Sequence, residues 1–217
     1  MPEKNIPIGD AVRFGWDMFK SNAGFLVAVV LIAGAISAIA SSLQQSVAGT
    51  DSPVAILLAG LITLAINAFI AVALINVSLK FVDDKRAVFA DLISAYSLFV
   101  LYAISSILYW LIVTIGLVFL IIPGIILAIR YQFFGYYIVD KEAGVIDSLR
   151  LSWNATRGIA GQLFLFDLTL LGIVILGALA LGVGLLVAIP VAGIALAFTY
   201  RRLQRQTEPA EQVRPAA

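Results

Sequence analysis

The feature that most constrains this chain is a series of apolar runs, each long enough to cross a bilayer. A spanning helix takes about 20 apolar residues, at about 1.5 Å of rise each, to traverse a hydrocarbon core of about 30 Å. Phe25–Leu43 meets this without a charge, and Pro53–Leu79 meets it with length to spare for tilt. Phe99–Val139 is too long for one span and reads as two, with a bend between Gly116 and Gly124. Gln162–Leu181 and Leu185–Tyr200 complete the set, turning at Gly182–Gly184, and Pro190 predicts a kink near the start of the last. The expected fold class is an all-α integral membrane protein with about six transmembrane helices. Composition agrees: 62% of residues are hydrophobic and 12% charged, against about 45–50% and about 25% in soluble domains.

The basic residues then set an orientation. All 14 Lys and Arg fall before the first run, after the second, from Arg130 near the end of the fourth to the start of the fifth, or after the sixth. The alternate loops hold only Asp51. The expected localisation is therefore the cell (inner) membrane, multi-pass, with both termini cytoplasmic. The segment before Phe25 carries Glu3, Lys4, Asp10, Arg13, Asp17 and Lys20, a pattern unlike a cleaved signal peptide.

Two charged segments carry helical periodicity. In Ile8–Lys20, Ile8, Ala11, Val12, Gly15, Trp16 and Phe19 share one face, and Asp10, Arg13, Asp17 and Lys20 the other. In Val145–Arg157, Ile146, Leu149 and Trp153 oppose Asp147, Arg150, Asn154 and Arg157. Both read as amphipathic interfacial helices on the cytoplasmic side, with Trp at headgroup depth. They align without gaps, Asp10, Arg13, Trp16, Asp17 and Lys20 falling on Asp147, Arg150, Trp153, Asn154 and Arg157. A weaker copy at Phe89–Phe99 places Tyr96 in the Trp position. The expected organisation is a single membrane domain, 1–205, built from three hairpins each preceded by such a helix (units 6–82, 86–140 and 144–203). A polar, Pro/Ala-rich tail, 206–217, is expected to be disordered.

The run PGIILAIRYQFFGYYIVDKEAGVIDSLRLSWNATRG, residues 123–158, resembles a family of bacterial multi-pass membrane proteins of unassigned function. That family includes the membrane domain of glycerophosphoryl diester phosphodiesterases. The resemblance rests on Pro123-Gly124, Arg130, Asp140, Ser148-Leu149, Ser152-Trp153, Thr156, Arg157 and Gly158, and on Gly15, Trp16, Phe19, Lys20 and Asn22 near the N-terminus. It implies a membrane-embedded protein without the phosphodiesterase activity. That activity belongs to a separate catalytic domain built on His and metal-binding carboxylates, and this chain has no His and no length left for one.

The lack of Cys and His removes thiolate, disulfide and imidazole chemistry from consideration. No nucleotide-, metal- or acyl-transfer motif is present, so no cofactor, no metal and no catalytic residue is expected. An intramembrane enzyme using Asp140, Asp147 or Asp167 is the weakest reading. Within the spans, Arg130 and Asp167 are the expected polar pair, because charge in hydrocarbon is expensive and seeks a partner. Asn67, Asn76 and Gln132 read as interhelical hydrogen-bonding groups, and Tyr131, Phe133, Phe134, Tyr136 and Tyr137 as an interfacial belt. The expected interfacial or lipid contacts are Arg13, Trp16, Lys20, Arg150, Trp153 and Arg157. The function this suggests is a non-enzymatic protein that organises or contacts lipids or protein partners at the cytoplasmic leaflet. The alternative is a small transporter or channel with a polar path at Arg130 and Asp167. Membrane lipids are the expected partners, with a protein partner or a second copy also open, and nucleic acid is not expected.

Overall fold

The computed structural model describes the backbone of residues 5–211 and the side chains of residues 5–207. Among them the only regular elements are helices. Helix α1 (Ile8–Ser21) gives way at Asn22 to α2 (Ala23–Ala48), which packs along α3 (Pro53–Val82). Polar groups between α2 and α3 are paired, as hydrocarbon favours. Ser37 Oγ donates to Asn67 Oδ1 at 3.3 Å, and Thr63 Oγ1 donates to the Ala40 carbonyl at 3.3 Å. The Ser52 hydroxyl caps α3 by accepting from Ala55 N–H, and Pro53 sits in the first turn, where its missing N–H costs least.

A short helix, α4 (Asp91–Ser94), and a 3₁₀ turn lead into α5 (Phe99–Phe119). The chain reverses at Leu120, whose backbone is extended (φ −160°, ψ 134°), inside the window expected for the bend. Close approach requires the glycines there: a Cβ on Gly124 would lie 2.6 Å from the Leu117 nitrogen. Helix α6 (Ile121–Tyr131) stops at a second break, Gln132–Phe133, before α7 (Phe134–Lys141). Then follow α8 (Val145–Ala155), α9 (Ala160–Leu179) and α10 (Leu185–Glu211). Helix α10 runs through Pro190 without a break in its assignment. It also continues through residues 206–211, where the tail was expected to begin, with Leu203 fully buried just before them. Residues 212–217 of that expected tail lie outside the described residues.

Six stretches are long and apolar enough to cross a membrane: Ala23–Ala48, Pro53–Val82, Asp91–Phe119, Ile121–Lys141, Ala160–Leu179 and Leu185–Thr207. The amphipathic helices do not pack on their own neighbours alone. Helix α1 lies against α10, α4 against α3, and α8 against α7, α5 and α6. Helix α1 runs antiparallel along α10. The Asn5 carbonyl accepts from Arg202 Nε at 3.3 Å, while further on a Cβ at Gly15 would lie 2.5 Å from the Val191 carbonyl oxygen. Its buried face is Ala11, Gly15 and Phe19; that of α8 is Ser148, Leu149, Ser152 and Ala155.

The aromatic group of α6 and α7 is a correction to the sequence reading. Phe133, Phe134, Tyr136 and Tyr137 are buried, with Phe133 fully enclosed, and only Tyr131 is partly exposed. They form the core rather than an interfacial belt. The reason is the break at Gln132–Phe133, which sets a short aromatic helix among α3, α8 and α10. Tyr136 then stacks on Tyr200 at 5.3 Å, and Tyr137 meets the same ring edge-on at 5.0 Å.

Candidate functional site

The densest polar cluster lies where the last helices of the three expected units end. Arg201 of α10 reaches Asp83, just past α3, with Nε–Oδ1 at 2.9 Å and Nη2–Oδ2 at 2.7 Å. Its Nη1 donates to Asp140 Oδ2 of α7 at 2.7 Å and to Gln204 Oε1 at 2.9 Å. Tyr200 OH and Gln204 Nε2 donate to the same Asp140 oxygen at 2.9 and 3.2 Å. The planar guanidinium is the right shape for this, since its fork satisfies two carboxylates at fixed angles. The Arg201 side chain is 17% exposed, so the cluster is a structural lock in which the guanidinium is fully engaged and the two carboxylates outweigh it in charge. Nearby, Lys80 pairs with Asp91, whose other oxygen accepts from Val88 N–H at 2.8 Å. Asn76 Nδ2 donates to the Asp91 carbonyl at 2.8 Å, tying α3 to α4.

The expected polar pair is not joined. Asp167 of α9 accepts from Gln132 Nε2 at 3.1 Å. The Arg130 guanidinium lies over the Trp153 ring, 4.2 Å from its centroid, and the Tyr131 ring packs tilted against the same indole at 5.4 Å. Arg130 takes part through its backbone too. Its carbonyl accepts from Ser152 Oγ at 2.8 Å and Thr156 Oγ1 at 3.1 Å, and Ser152 Oγ accepts from Phe133 N–H at 3.1 Å. These hydroxyls satisfy backbone groups released at the break between α6 and α7. Ser152, Trp153 and Thr156, which carry the resemblance, are thus what fasten α8 onto that break.

The remaining expected contacts divide. Trp16 is 47% exposed, with Lys20 6.0 Å from its ring centroid and Arg13 on the same outward surface. Lys20 also pairs with Asp17 at 2.9 Å, and that hydrogen bond holds the Asp17 carboxyl below its usual value. Arg150 on α8 and Arg157 in the turn after it are exposed, whereas Trp153 is turned inward to Arg130. Two cavities flank these elements. A cleft of about 420 Å³ at the charged end is lined by Phe14, Phe198, Arg201, Arg202, Arg205 and Asp84 among others. Its floor is the Phe14–Phe198 ring pair, 5.1 Å apart. An apolar groove of about 370 Å³ lies between α2, α3 and the segment carrying Phe89 and Leu92. Neither cavity is lined by Arg130 or Asp167.

Sequence reasoning did not anticipate the Arg201 lock or the Ser152–Thr156 caps. The signal for the first was available: Asp83, Asp140 and Arg201 are charged residues of opposite sign at the same point of three helices. For the second, only the unforeseen break in the fourth run gives the hydroxyls a purpose.

Comparison with known proteins places the chain beside uncharacterised ones. Relatives in Mycobacterium tuberculosis and Mycobacterium bovis are each 28% identical over 242 aligned positions, which cover 100% of this chain and 74% of the relative. Both carry names that assign no activity. No family model matches the sequence, and no solved structure matches it. The chain is therefore similar to uncharacterised mycobacterial proteins and has the six long apolar helices of a multi-pass membrane protein.

Proposed function

We propose that this is a non-enzymatic protein of the cell membrane, with both termini cytoplasmic, that contacts anionic lipid headgroups at the cytoplasmic leaflet. The observation that carries the reading is the cleft between α1 and α10. It sets Arg202 and Arg205, both exposed, beside an aromatic floor, while the neighbouring Arg201 is already neutralised by two carboxylates. Phosphate oxygens match such donors and acyl carbons match such rings. The outward face of α1, with Arg13, Trp16 and Lys20, extends the same surface. A transport path at Arg130 and Asp167 has less support, because each turns to a different partner and neither borders the cavities described.

The three-unit organisation belongs to this proposal, and the register of burial supports it. Ala11, Asp91 and Ser148 occupy equivalent positions in the three copies and are all buried. The copies also pack in a cycle, each on the second helix of the preceding unit, with the first copy on the last unit. The resemblance to the membrane domain of phosphodiesterases fits this membrane-embedded, non-catalytic role.

Native mass spectrometry of the detergent-purified chain, loaded with phosphatidylglycerol or phosphatidylcholine, tests the reading. Each basic residue near a headgroup contributes about 1 kcal/mol, so Arg202→Gln with Arg205→Gln should lower retention of the anionic lipid roughly tenfold or more. The zwitterionic lipid should be unaffected. Equal retention of phosphatidylglycerol by the double variant would overturn the proposal.

A further inference from the structure

We propose that Arg130, Trp153 and Arg157 hold the phosphate of an anionic phospholipid, whose acyl chain runs down the exposed face of α6. This site shares no residue with the cleft between α1 and α10 and does not rest on the reading given for it. The starting observation is a charge without a counter-charge. Arg130 lies in a candidate span, Ile121–Lys141, where an unpaired guanidinium is costly. Among the described residues its side chain makes no ion pair and no hydrogen bond, and its charge meets only the face of the Trp153 ring, 4.2 Å from the centroid. Its Nε is buried without an acceptor. Geometry explains why Asp167 does not supply the missing anion. Residues two apart on a helix point about 200° apart. Gln132, which keeps helical backbone angles and donates to Asp167 at 3.1 Å, therefore faces away from Arg130.

The surroundings of Arg130 fit a headgroup. Its carbonyl accepts from Ser152 and Thr156, which fixes it beside α8. That helix carries the exposed charges Asp147 and Arg150 and leads into exposed Arg157, so it belongs to the charged end of the molecule. Arg157 directly follows Thr156 and stands four residues after Trp153, the spacing that puts two side chains on one side of a helix. Asp147 and Arg150 pair with each other at 3.5 Å. Arg130 and Arg157 remain as two cations that no carboxylate among the described residues neutralises.

Stacking on the indole leaves the Arg130 guanidinium free to bind. The ring occupies its face, whereas its N–H donors point outward in its plane, where phosphate oxygens approach. Because Nε is enclosed, the terminal nitrogens are the donors a phosphate would meet. Tyr131 packs on the same indole at 5.4 Å, and such rings favour the headgroup level of a bilayer. Back toward the reversal at Leu120, α6 offers Ile126 and Ile122, four and eight residues before Arg130 and both exposed. One side of α6 thus carries a cation at the charged end and an apolar stripe below it, the order in which a phospholipid presents phosphate and acyl carbons. A free phosphate would use the two arginines and leave the stripe bare.

Trp153 itself can report on the site once it is the sole tryptophan. The full chain carrying Trp16→Phe and Trp110→Phe would be placed in phosphatidylcholine vesicles. It would then be titrated with phosphatidylglycerol or phosphatidylcholine bearing brominated acyl chains, which quench a neighbouring indole. Two basic residues near a headgroup should give phosphatidylglycerol at least about a tenfold preference in quenching. Arg130→Gln should reduce that preference about fivefold. Arg157→Gln, at an exposed position, should do the same and decides the matter should Arg130→Gln fail to fold. Arg202→Gln with Arg205→Gln should leave the preference intact, which separates this site from the cleft. Inorganic phosphate, matched against chloride at equal ionic strength, should not relieve the quenching. Relief would identify the ligand as free phosphate and overturn the lipid assignment. Equal quenching by the two lipids, a preference unchanged by both single Arg variants, or one lost in the Arg202 and Arg205 double variant would overturn the site.

Discussion

Arg201 shows why a charge can be kept in a mostly apolar molecule. Its guanidinium is largely removed from solvent, yet its three nitrogens make four hydrogen bonds to Asp83, Asp140 and Gln204. Removing one partner from such a cluster leaves the others buried and unpaired, which costs about 3–5 kcal/mol. Arg201→Gln should therefore lower the unfolding free energy by about that amount, measured by chemical denaturation of the purified chain in detergent. Asp147→Asn is the contrasting change. Its pairing with Arg150 is 3.5 Å long with both side chains about two-thirds exposed, so an effect below about 0.5 kcal/mol is expected. Both residues are charged and both are paired; burial separates them. Ser152 and Thr156 follow the same logic on neutral groups, since their hydroxyls matter only because backbone atoms at Arg130 and Phe133 lack helical partners.

Among the elements, α1 and α8 illustrate how one sequence pattern serves two contacts. Equivalent positions face inward in both, but Gly15 permits backbone contact with α10 whereas Ser152 supplies a hydroxyl to the α6–α7 break. Gly15→Leu should therefore lift α1 off α10, because even a single carbon at that position would overlap the Val191 carbonyl at 2.5 Å. Limited proteolysis with trypsin should then cut after Arg13 or Lys20 in the variant well before it cuts the parent chain. Equal protection of α1 in the two proteins would mean that the helix accommodates the side chain by sliding. The periodicity of both helices was legible in the sequence, and so was the outward placement of Arg13, Arg150 and Arg157. Their partners were not, because a face of Ala, Gly and Ser carries no information about which helix it fits.

For the whole molecule, connectivity argues for cooperative behaviour. The Arg201 lock joins three helix ends distant in sequence, and each leading helix packs on the second helix of another proposed unit. No unit can open without breaking a contact to the next. The three Trp residues, Trp16, Trp110 and Trp153, fall one in each unit. Variants retaining a single Trp should then report coincident unfolding midpoints by fluorescence, as expected of one cooperative transition. Separate midpoints would indicate units that unfold independently. The lipid-retention experiment described above addresses the same scale, since it depends on where the charged end sits in the bilayer.

The sequence by itself determined that the protein is helical and membrane-embedded, where its long helices lie, and which end of them is charged. Those properties follow from the length and continuity of apolar runs and from the position of Lys and Arg, which are local quantities. Tertiary structure decided the rest. It turned the aromatic group of α6 and α7 into a core, separated Arg130 from Asp167, and brought Asp83 and Asp140 to Arg201. Hydropathy measures how readily a segment enters hydrocarbon, and it carries no record of which side chains the neighbouring helices bring together.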